Sequence, residues 1–309
     1  MSREGDGGLI AINWGSSAFR AWLVGPDGIV KDQLVSSSGV VGLDRQAMAT
    51  VIDEVTARWP AVARIIATGM IGSNIGWTER PYLECPVSLA DLAAACAPTK
   101  IGPTTVYLAP GLACVRRADG RPDILRGEDM EIFGAIALRG AEASGRTIVL
   151  PGTHTKWAHI EDGYLVEFFT SMAGEMFDRL TAGGLLASIV SDEAIPGNAF
   201  QKGLAEGSDG LGLTTALFGV RAGVIRGTVD RSDAASYLRG LLIGSEFADA
   251  AHLGIGPTDD TIVLVGNPGL CRLYQAAAPF FGFAAEIVDS RDATVAGFVA
   301  LDLQSMKLC

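Results

Sequence analysis

Two glycine-containing turns carry residue types that can bind phosphate groups. They are residues 13–17 (Asn-Trp-Gly-Ser-Ser) and residues 150–154 (Leu-Pro-Gly-Thr-His). Each offers consecutive backbone N–H groups and hydroxyls, which together can hold phosphate oxygens. Each turn lies between two short apolar runs, and the second run leads to an Asp-Gly pair typical of a β-hairpin (27–28 and 162–163). Because the same module occurs near the start of each half, we interpret the turns as gripping a polyphosphate from two sides rather than as two ordinary hairpins.

A third glycine turn and two basic residues extend this interpretation. Residues 266–269 (Gly-Asn-Pro-Gly) follow an apolar run and are a candidate floor for an adenine or ribose, although a plain strand–helix turn explains the same spacing. Lys156 comes four residues after Gly152, and Arg20 comes five residues after Gly15. Each charge alone is typical of a solvated surface, but the matching positions favour a binding role for the pair.

The adjacent carboxylates Glu128 and Asp129 stand at the start of a predicted helix, directly after Arg126-Gly127. Acidic residues in a first turn compensate the positive end of the helix dipole. Phosphoryl transfer to an alcohol also needs a carboxylate that accepts the hydroxyl proton and others that hold Mg²⁺. The spacing leaves both explanations open. The chain has neither Gly-x-x-x-x-Gly-Lys-Ser/Thr nor Gly-x-Gly-x-x-Gly between a strand and a helix, which argues against a P-loop and a Rossmann nucleotide site.

The composition indicates a compact globular protein of about two domains. The chain has 309 residues, of which 49% are hydrophobic and 19% charged, and its net charge is −11. Such an acidic surface argues against nucleic acid and against an anionic membrane as partners. No apolar run reaches the roughly 18 residues of a membrane span, and the polar start lacks a signal-peptide pattern, so we expect a cytoplasmic protein. Five widely spaced cysteines and three histidines predict neither a disulfide framework nor a tightly held transition metal.

Alternating strands and helices predict an α/β sheet in each half of the chain. We expect strands at residues 9–12, 21–24, 64–69, 105–109, 147–150, 157–160 and 261–265. We expect helices at residues 46–58, 89–96, from 126 onward, 172–190 with a break at 183–184, 235–253, 270–278 and 292–303. The small and polar residues 139–146 suggest a domain boundary, giving domains at residues 1–142 and 143–309. The small-residue final helix suits either a domain seam or the interface of a homo-oligomer.

Several stretches of the chain, in order, resemble one kinase family. They are residues 10–16 (Ile-Ala-Ile-Asn-Trp-Gly-Ser), 69–77 (Gly-Met-Ile-Gly-Ser-Asn-Ile-Gly-Trp), 81–83 (Pro-Tyr-Leu), 126–128 (Arg-Gly-Glu), 151–157 (Pro-Gly-Thr-His-Thr-Lys-Trp) and 240–246 (Gly-Leu-Leu-Ile-Gly-Ser-Glu). The chain resembles the sugar kinase, Hsc70 and actin superfamily, and within it the 2-dehydro-3-deoxygalactonokinase family. The resemblance implies two RNase H-like domains of the actin-like ATPase type flanking an interdomain cleft, with the sugar acid on the first domain and ATP on the second.

The resemblance also implies an activity and a set of site residues. The expected reaction is ATP-dependent phosphorylation of 2-dehydro-3-deoxy-D-galactonate at its 6-hydroxyl with Mg²⁺, in galactonate or galactose breakdown. Residues expected to contact ATP are Gly15, Ser16, Ser17, Gly152, Thr153, His154, Lys156, Gly266, Asn267 and Gly269. Residues expected to bind the sugar acid are Arg20, Gly72, Ser73, Asn74, Trp77 and Arg126. Exopolyphosphatases, distant relatives, use a glutamate at a similar helix start as the base, which supports Glu128 as proton acceptor with Asp129 as the alternative.

One position departs from the superfamily pattern and concerns the metal. The superfamily normally has an aspartate where this chain has Asn13, and that carboxylate helps to hold the metal ion. An amide oxygen can bind a metal-bound water but brings no charge. We therefore expect that Mg²⁺ is held mainly by ATP and by Glu128 or Asp129, with Asn13 assisting, or else that turnover is slow.

Two other functions remain as alternatives at this stage. Asn13 is compatible with a catalytically weakened sugar sensor that binds nucleotide, and the Arg-Gly-Glu stretch is compatible with a phosphohydrolase of the exopolyphosphatase type. The Gly-Ser-Asn-x-Gly-Trp loop at residues 72–77 favours an organic acceptor over water. The sequence does not distinguish the galacto acid from its gluco epimer.

Overall fold

The computed structural model describes residues 8–60, 62, 64–140, 146–190, 193–256 and 261–307. Its strands are β1 Leu9–Trp14, β2 Phe19–Val24, β3 Val30–Ser36, β4 Arg64–Gly69, β5 Leu83–Glu84, β6 Ala97–Ile101, β7 Thr104–Leu108, β8 Leu112–Val115, β9 Pro122–Leu125, β10 Thr147–Leu150, β11 Thr155–Glu161, β12 Tyr164–Ser171, β13 Thr261–Gly266 and β14 Ala284–Asp289. Its α-helices are α1 Arg45–Arg58, α2 Leu89–Ala95, α3 Asp129–Arg139, α4 Ala173–Ala182, α5 Asn198–Gly207, α6 Leu213–Arg226, α7 Ala234–Leu253, α8 Pro268–Ala277 and α9 Ser290–Lys307.

The two larger sheets repeat one plan. The first has the strand order β3-β2-β1-β4-β7-β6, and the second has the order β12-β11-β10-β13-β14. In each, an antiparallel meander of three strands is extended by two parallel strands. The first sheet ends in a sixth strand, β6, which is antiparallel to β7. The carboxyl ends of parallel neighbours meet at one edge of a sheet, where ligand-binding loops of α/β proteins collect. The predicted α/β class and the duplicated strand–turn–strand module are therefore confirmed.

The two Asp-Gly pairs form the hairpins that the sequence predicts. Asp162 and Gly163 have φ angles of 50° and 80°, as a two-residue turn between twisted strands requires. Gly28 has φ of 74° in the turn between β2 and β3. These turns join the second and third strands of each meander and fix the register of those pairs.

Helices α3 and α9 pack backbone against backbone. A Cβ atom on Gly134 would lie 1.7 Å from the carbonyl oxygen of Ala293, and one on Gly297 would lie 2.1 Å from the carbonyl oxygen of Met130. Only glycine permits so close an approach. One apolar cluster combines these two helices with residues of both larger sheets, including Leu9, Phe133, Phe168, Val263 and Phe298.

Some elements were not predicted. The small third sheet, β5-β8-β9, and helices α5 and α6 lie outside the strands and helices that the sequence pattern predicts. The helix expected over residues 172–190 ends at Ala182, because Gly183 adopts an extended conformation (φ −161°, ψ 169°). The expectation of helix over residues 185–190 was therefore wrong.

The structure can be compared with the expectations about the domain boundary, the cysteines and membrane spans. The predicted boundary between residues 142 and 143 lies outside the described residues, so the division into two domains stays a prediction. Cys85, Cys96, Cys114 and Cys271 are free thiols, and Cys309 lies outside the described residues. None of the helices in the described part of the chain has the length and apolar character of a membrane span. The cytoplasmic location and the homo-oligomer stay predictions.

Candidate active site

The carboxyl ends of β1 and β4 meet the start of α3 at one point. Asn13 donates a hydrogen bond from Nδ2 to the carbonyl oxygen of Gly127 over 3.3 Å. Gly127 has φ of 110°, and a Cβ there would lie 3.4 Å from the Cα of Gly69. A side chain at residue 127 would therefore strain the backbone and crowd the strand ends. Because residue 127 is a glycine, α3 and its carboxylates can begin directly beside Asn13 at the end of β1.

The two predicted catalytic carboxylates lie in different environments. Asp129 is wholly buried, and the hydroxyl of Thr68 lies 2.9 Å from each of its carboxylate oxygens. Burial raises the pKa of Asp129 to about 6, and the hydrogen bond from Thr68 opposes the shift. Glu128 is half-buried, and its Oε2 accepts a hydrogen bond from the backbone N–H of Arg126 over 3.1 Å. Glu128 is therefore the more accessible of the two, and Asp129 is held inside the protein.

A third carboxylate, Glu131, connects this helix to α9. The hydroxyl of Ser290, the first residue of α9, donates a hydrogen bond to Glu131. The pKa of Glu131 is raised to about 7, chiefly by burial; the hydrogen bond from Ser290 opposes this rise, the carboxylate of Glu128 adds to it, and the charge of Arg20 opposes it. Arg20 is paired with Asn13 in the β1–β2 register, so both side chains lie on one face of the sheet. Arg20 therefore comes close to the acidic start of α3, as a site residue should.

The first glycine turn is held from below and leaves its hydroxyls exposed. The carbonyl oxygens of Gly15 and Ser16 accept hydrogen bonds of 3.0 Å from the backbone N–H groups of Val40 and Val41. The side chains of Ser16 and Ser17 are exposed. A turn that is braced in this way, with free hydroxyls, can present donors to an anion without rearranging.

The second glycine turn is braced by the start of α4. The carbonyl oxygen of Thr153 accepts a 2.8 Å hydrogen bond from the backbone N–H of Glu175. Nε2 of His154 lies 2.8 Å from a carboxylate oxygen of the same glutamate, and this hydrogen bond lowers the pKa of Glu175. Thr153 and His154 are exposed, and a Cβ on Gly152 would meet no atom within 4 Å. Gly152, Thr153 and His154 thus form an open, supported turn.

Lys156 follows this turn, but its side chain lies against β9 and β12. Its side chain is 5% exposed, and Nζ donates to the hydroxyl of Thr170 over 2.8 Å and to the carbonyl oxygen of Ile124 over 3.2 Å. The hydroxyl of Thr170 donates in turn to Asp123 over 2.7 Å. The ammonium group therefore lies in a polar seam between β9 and β12, and its predicted contact with phosphate stays a prediction.

The third glycine turn lies against the second one. Gly266 ends β13, and a Cβ on it would lie 2.9 Å from the carbonyl oxygen of Pro151. Oδ1 of Asn267 accepts hydrogen bonds from the backbone N–H groups of Gly269 (2.8 Å) and Leu270 (3.3 Å), so it caps α8. The second and third glycine turns are thus neighbours. A contact of Gly266, Asn267 and Gly269 with adenosine stays a prediction.

The side chains of the predicted sugar-acid loop, residues 72–77, differ in how accessible they are to a ligand. The hydroxyl of Ser73 is turned inward and donates to the carbonyl oxygen of Met70 over 2.7 Å. Asn74 is exposed, and the guanidinium of Arg45 stacks on the ring of Trp77 at 5.3 Å from its centroid. Of these side chains, Asn74 is the one most accessible to a ligand.

Arg126 and Gly72 are in contact beside this loop. NH2 of Arg126 donates to the carbonyl oxygen of Arg80 over 2.8 Å, and its guanidinium stacks on the ring of Tyr82 at 4.5 Å. A Cβ on Gly72 would lie 3.0 Å from NH1 of Arg126. Within the described residues, Nε and NH1 of this arginine are buried and have no hydrogen-bond partner. Such nitrogens have donors available for an anion, at a position two residues before Glu128.

Three residues of this site were missed in the sequence, although each gave a signal. Thr68 is a polar residue within an apolar strand, and Glu131 is one helical turn after Glu128. Ser290 gave the weakest signal, because its position beside α3 depends on the crossing of α3 and α9. Only the packing of distant segments reveals that last contact.

The donor set near Asn13 fits a metal ion that is carried mainly by phosphate groups. No group of three or more His, Cys, Asp or Glu side chains in the described part of the chain is arranged to hold a metal. Mg²⁺ in phosphoryl-transfer sites keeps waters and phosphate oxygens as ligands and takes only one or two ligands from the protein. That Asn13 and Glu128 are such ligands stays a prediction, and Asp129 is wholly buried.

Comparison with known proteins identifies the family. A family model described as 2-keto-3-deoxy-galactonokinase matches residues 13–301. The chain belongs to the 2-keto-3-deoxy-galactonokinase family. A curated 2-dehydro-3-deoxygalactonokinase of Rhizobium meliloti (strain 1021) is 34% identical over 296 residues, covering 94% of this chain and 95% of the relative. The 2-dehydro-3-deoxygalactonokinase of Escherichia coli (strain K12) is 34% identical over 278 residues, covering 88% and 90%.

Solved structures confirm the fold of this 2-keto-3-deoxy-galactonokinase family member. A crystal structure described as a 2-dehydro-3-deoxygalactonokinase from Sinorhizobium meliloti has a TM-score of 0.86 and 32% identity, and covers 97% of this chain and 99% of its own. The activator of the 2-hydroxyisocaproyl-CoA dehydratase from Clostridium difficile has a TM-score of 0.52 at 12% identity, covers 97% of both chains, and supports the fold alone. The expected actin-like ATPase fold class is therefore confirmed.

Proposed function

We propose that this chain transfers the γ-phosphoryl group of ATP to the 6-hydroxyl of 2-keto-3-deoxygalactonate (2-dehydro-3-deoxy-D-galactonate). Family membership supports the reaction, because the matching model covers nearly the whole chain. The structural observation that carries the proposal is the hydrogen bond from Asn13 to Gly127, which joins the first phosphate turn to the helix that bears the carboxylates. Phosphoryl transfer needs these two features side by side, since the acceptor hydroxyl must lie in line with the γ-phosphate.

Glu128 is the proton acceptor in this proposal, and Asp129 positions the helix start. Glu128 is half-buried, so an acceptor hydroxyl can reach it, whereas Asp129 is wholly enclosed and held by Thr68. A buried carboxylate that accepts a hydroxyl bond and bonds the N–H of Met130 fixes the first turn of α3. The catalytic role then belongs to Glu128, and the alternative assignment to Asp129 is an outcome of the test below.

The two open glycine turns and the turn after β13 form the ATP side of the proposed site. The residues assigned to the phosphates are Gly15, Ser16, Ser17, Gly152, Thr153, His154 and Lys156. Gly266, Asn267 and Gly269 are assigned to the adenosine, because their turn abuts Pro151 at the start of the second phosphate turn. Mg²⁺, when bound, would neutralise charge on the phosphates, with Asn13 and Glu128 as its protein ligands.

Arg126 is proposed to bind the carboxylate of the sugar acid. Its buried Nε and NH1 have no partner among the described residues, and NH1, which lies beside Gly72, would donate a charge-assisted hydrogen bond to that carboxylate. The rest of the substrate would contact Gly72, Ser73, Asn74 and Trp77. Arg20 would contact the region between the substrate and the phosphates. Ser73 would act through its backbone, because its hydroxyl is already bonded to Met70.

Replacement of each carboxylate tests the assignment. Glu128→Gln should lower turnover by roughly two to four orders of magnitude, the range for loss of a positioned base, while the affinity for ATP changes little. Asp129→Asn should keep substantially more activity, because an amide still accepts the Thr68 hydroxyl. The assay couples ADP release to added 2-keto-3-deoxygalactonate or its gluco epimer. A Glu128→Gln enzyme with most of its turnover, combined with an inactive Asp129→Asn enzyme, would transfer the role to Asp129.

The same assay separates the alternative functions. A phosphohydrolase would release phosphate from ATP or polyphosphate without any sugar acid, and a sensor would bind ATP without turnover. If Asn13 is a weakened metal ligand, Asn13→Asp should raise the rate at low Mg²⁺ concentration, because a carboxylate adds charge at the metal. An unchanged or lower rate would show that the amide is not limiting.

A further inference from the structure

A buried glutamate on α7 collects hydrogen bonds from the elements that support the ATP-side turns. Glu246 is 1% exposed. The hydroxyl of Tyr274 on α8 donates to its Oε2, and Nε1 of Trp157 on β11 lies 3.4 Å from the same oxygen. Burial raises the pKa of Glu246, and its hydrogen bonds with Tyr274 and Trp157 oppose that shift. Its other oxygen, Oε1, is buried without a hydrogen-bond partner among the described residues. A buried and only partly bonded carboxyl group is costly, so its presence needs a reason.

The residues around Glu246 lie directly behind the turns that are proposed to hold ATP. Thr155 is the residue after the second phosphate turn, and its hydroxyl lies 3.1 Å from the hydroxyl of Tyr274. Tyr274 belongs to α8, the helix that begins at the adenosine turn. Ser171 faces Thr155 across the β11–β12 ladder, and its hydroxyl accepts the backbone N–H of Ala173 at the start of α4.

These contacts join α8 and β11 at Glu246, and Ser171, which faces Thr155, bonds the start of α4. The start of α4 braces the second phosphate turn through Glu175, α8 carries the adenosine turn, and β11 continues from the phosphate turn itself. A shift of Tyr274 relative to Thr155 would therefore change the spacing between the two turns. Nothing in the phosphoryl-transfer chemistry requires Glu246 to touch a substrate.

We propose that Glu246, acting through Tyr274 and Thr155, is a positioning residue that sets the spacing between the second phosphate turn and the adenosine turn, and thereby the affinity for ATP. The proposal rests on the proposed function, because it takes these turns to be the nucleotide site. It assigns no proton transfer and no substrate contact to Glu246. It predicts an effect on nucleotide binding that is separate from binding of the sugar acid.

The chain contains a matched control for this network. Tyr237 on the same helix, α7, donates its hydroxyl to Glu206 on α5. This second Tyr–Glu pair lies nine residues before Glu246, or about 13.5 Å along the helix axis. Glu206 is partly exposed and lies 4.0 Å from Nζ of Lys202, and among the described residues neither Tyr237 nor Glu206 hydrogen-bonds to either turn. Loss of this pair therefore reports the general effect of removing a Tyr–Glu hydrogen bond from α7.

The test compares Tyr274→Phe and Glu246→Gln with Tyr237→Phe and Glu206→Gln. For the first two variants we expect KM for ATP, and Kd for a non-hydrolysable ATP analogue by calorimetry, to rise about tenfold, equivalent to about 1.4 kcal/mol, with KM for the sugar acid within about twofold of wild type. The control variants should keep both KM values. Thermal unfolding of every variant establishes that the measurements are made on folded protein.

Several results would overturn the proposal. One is wild-type affinity for the nucleotide in folded Tyr274→Phe and Glu246→Gln. Another is an equal rise of both KM values, or the same change in the control variants, which would show a general loss of structure. If Glu246→Gln does not fold, Tyr274→Phe decides, because the ring that fills the core is retained. Failure of the wild-type chain to phosphorylate the sugar acid would overturn the proposed function alone, since calorimetry with the nucleotide still tests the role of Glu246.

Discussion

The crossing of α3 and α9 predicts a large effect of a single methyl group. In Gly134→Ala, the new Cβ would lie 1.7 Å from the carbonyl oxygen of Ala293 and 2.8 Å from the backbone nitrogen of Gly297. To restore even a 3.0 Å contact with that oxygen, the two helices must separate by 1.3 Å. Because the obstructing atoms are backbone, no side-chain rotation relieves the clash. Overpacking of this kind costs about 3 kcal/mol, and the better helix propensity of alanine returns about 1 kcal/mol.

We therefore expect Gly134→Ala to lower the free energy of unfolding by about 2 kcal/mol. The control is Gly219→Ala in α6, where a Cβ would meet no atom within 4 Å. That change should stabilise the protein by about 0.5–1 kcal/mol. Urea unfolding, with the slope compared between variants, measures both effects. If Gly134→Ala proves as stable as wild type or as Gly219→Ala, the two helices do not pack as described.

The same variant should also affect catalysis. Glu128 stands at the beginning of α3, so a displaced helix carries the proposed base with it. A misplacement of about 1 Å can cost about a hundredfold in rate. Turnover measured well below the unfolding midpoint should fall more for Gly134→Ala than for Gly219→Ala. Equal turnover in the two variants would show that the contact between α3 and α9 does not control the geometry of the site.

Three further predictions concern the site. Burial raises the pKa values of Asp129 to about 6 and of Glu131 to about 7; ionising them opposes folding, so their contribution to stability falls as pH rises from about 4 to 7. Urea unfolding at several pH values should show that Asp129→Asn/Glu131→Gln, relative to wild type, gains stability over that range; a constant difference would refute the buried placement. Thr68→Val removes the hydroxyl donor to Asp129 and should cost about 1–3 kcal/mol in urea unfolding, whereas a neutral effect would contradict the bond. Lys156→Met should reduce turnover at saturating ATP if the ammonium reaches phosphate, and a variant that loses only stability would confine Lys156 to the seam with Thr170.

Local sequence patterns predicted the parts of the fold that depend on neighbouring residues. The Asp-Gly hairpins, the strand at 261–266 and the long helix at 234–253 follow from turn chemistry and hydrophobic periodicity. The β8–β9 hairpin was not predicted because β9 begins with Pro122 and Asp123, residue types that are depleted in strands. Helices α5 and α6 were not predicted because glycines interrupt their patterns. Short elements of this kind are stabilised by packing more than by their own propensity.

The candidate site was predictable in outline but not in its contacts. Glycine turns and the acidic helix start have local signatures, so Gly15, Gly152 and Glu128 could be singled out from the sequence. The inward hydroxyl of Ser73 and the buried ammonium of Lys156 could not, because side-chain direction depends on the strands and loops packed around each residue. Spacing in the sequence locates a candidate, whereas tertiary packing decides which atoms remain available.

The participation of α9 in the shared apolar cluster has a consequence for biosynthesis. Phe298 and Leu301 of this helix are buried in the same cluster as Leu9 and Trp22 of the first sheet. On the ribosome, the N-terminal strands are complete long before α9 has been translated. Part of their apolar surface therefore stays uncovered until a segment almost 300 residues later has been synthesised. The nascent first half should therefore be a substrate for holding chaperones, and its release from them should coincide with the arrival of the last helix.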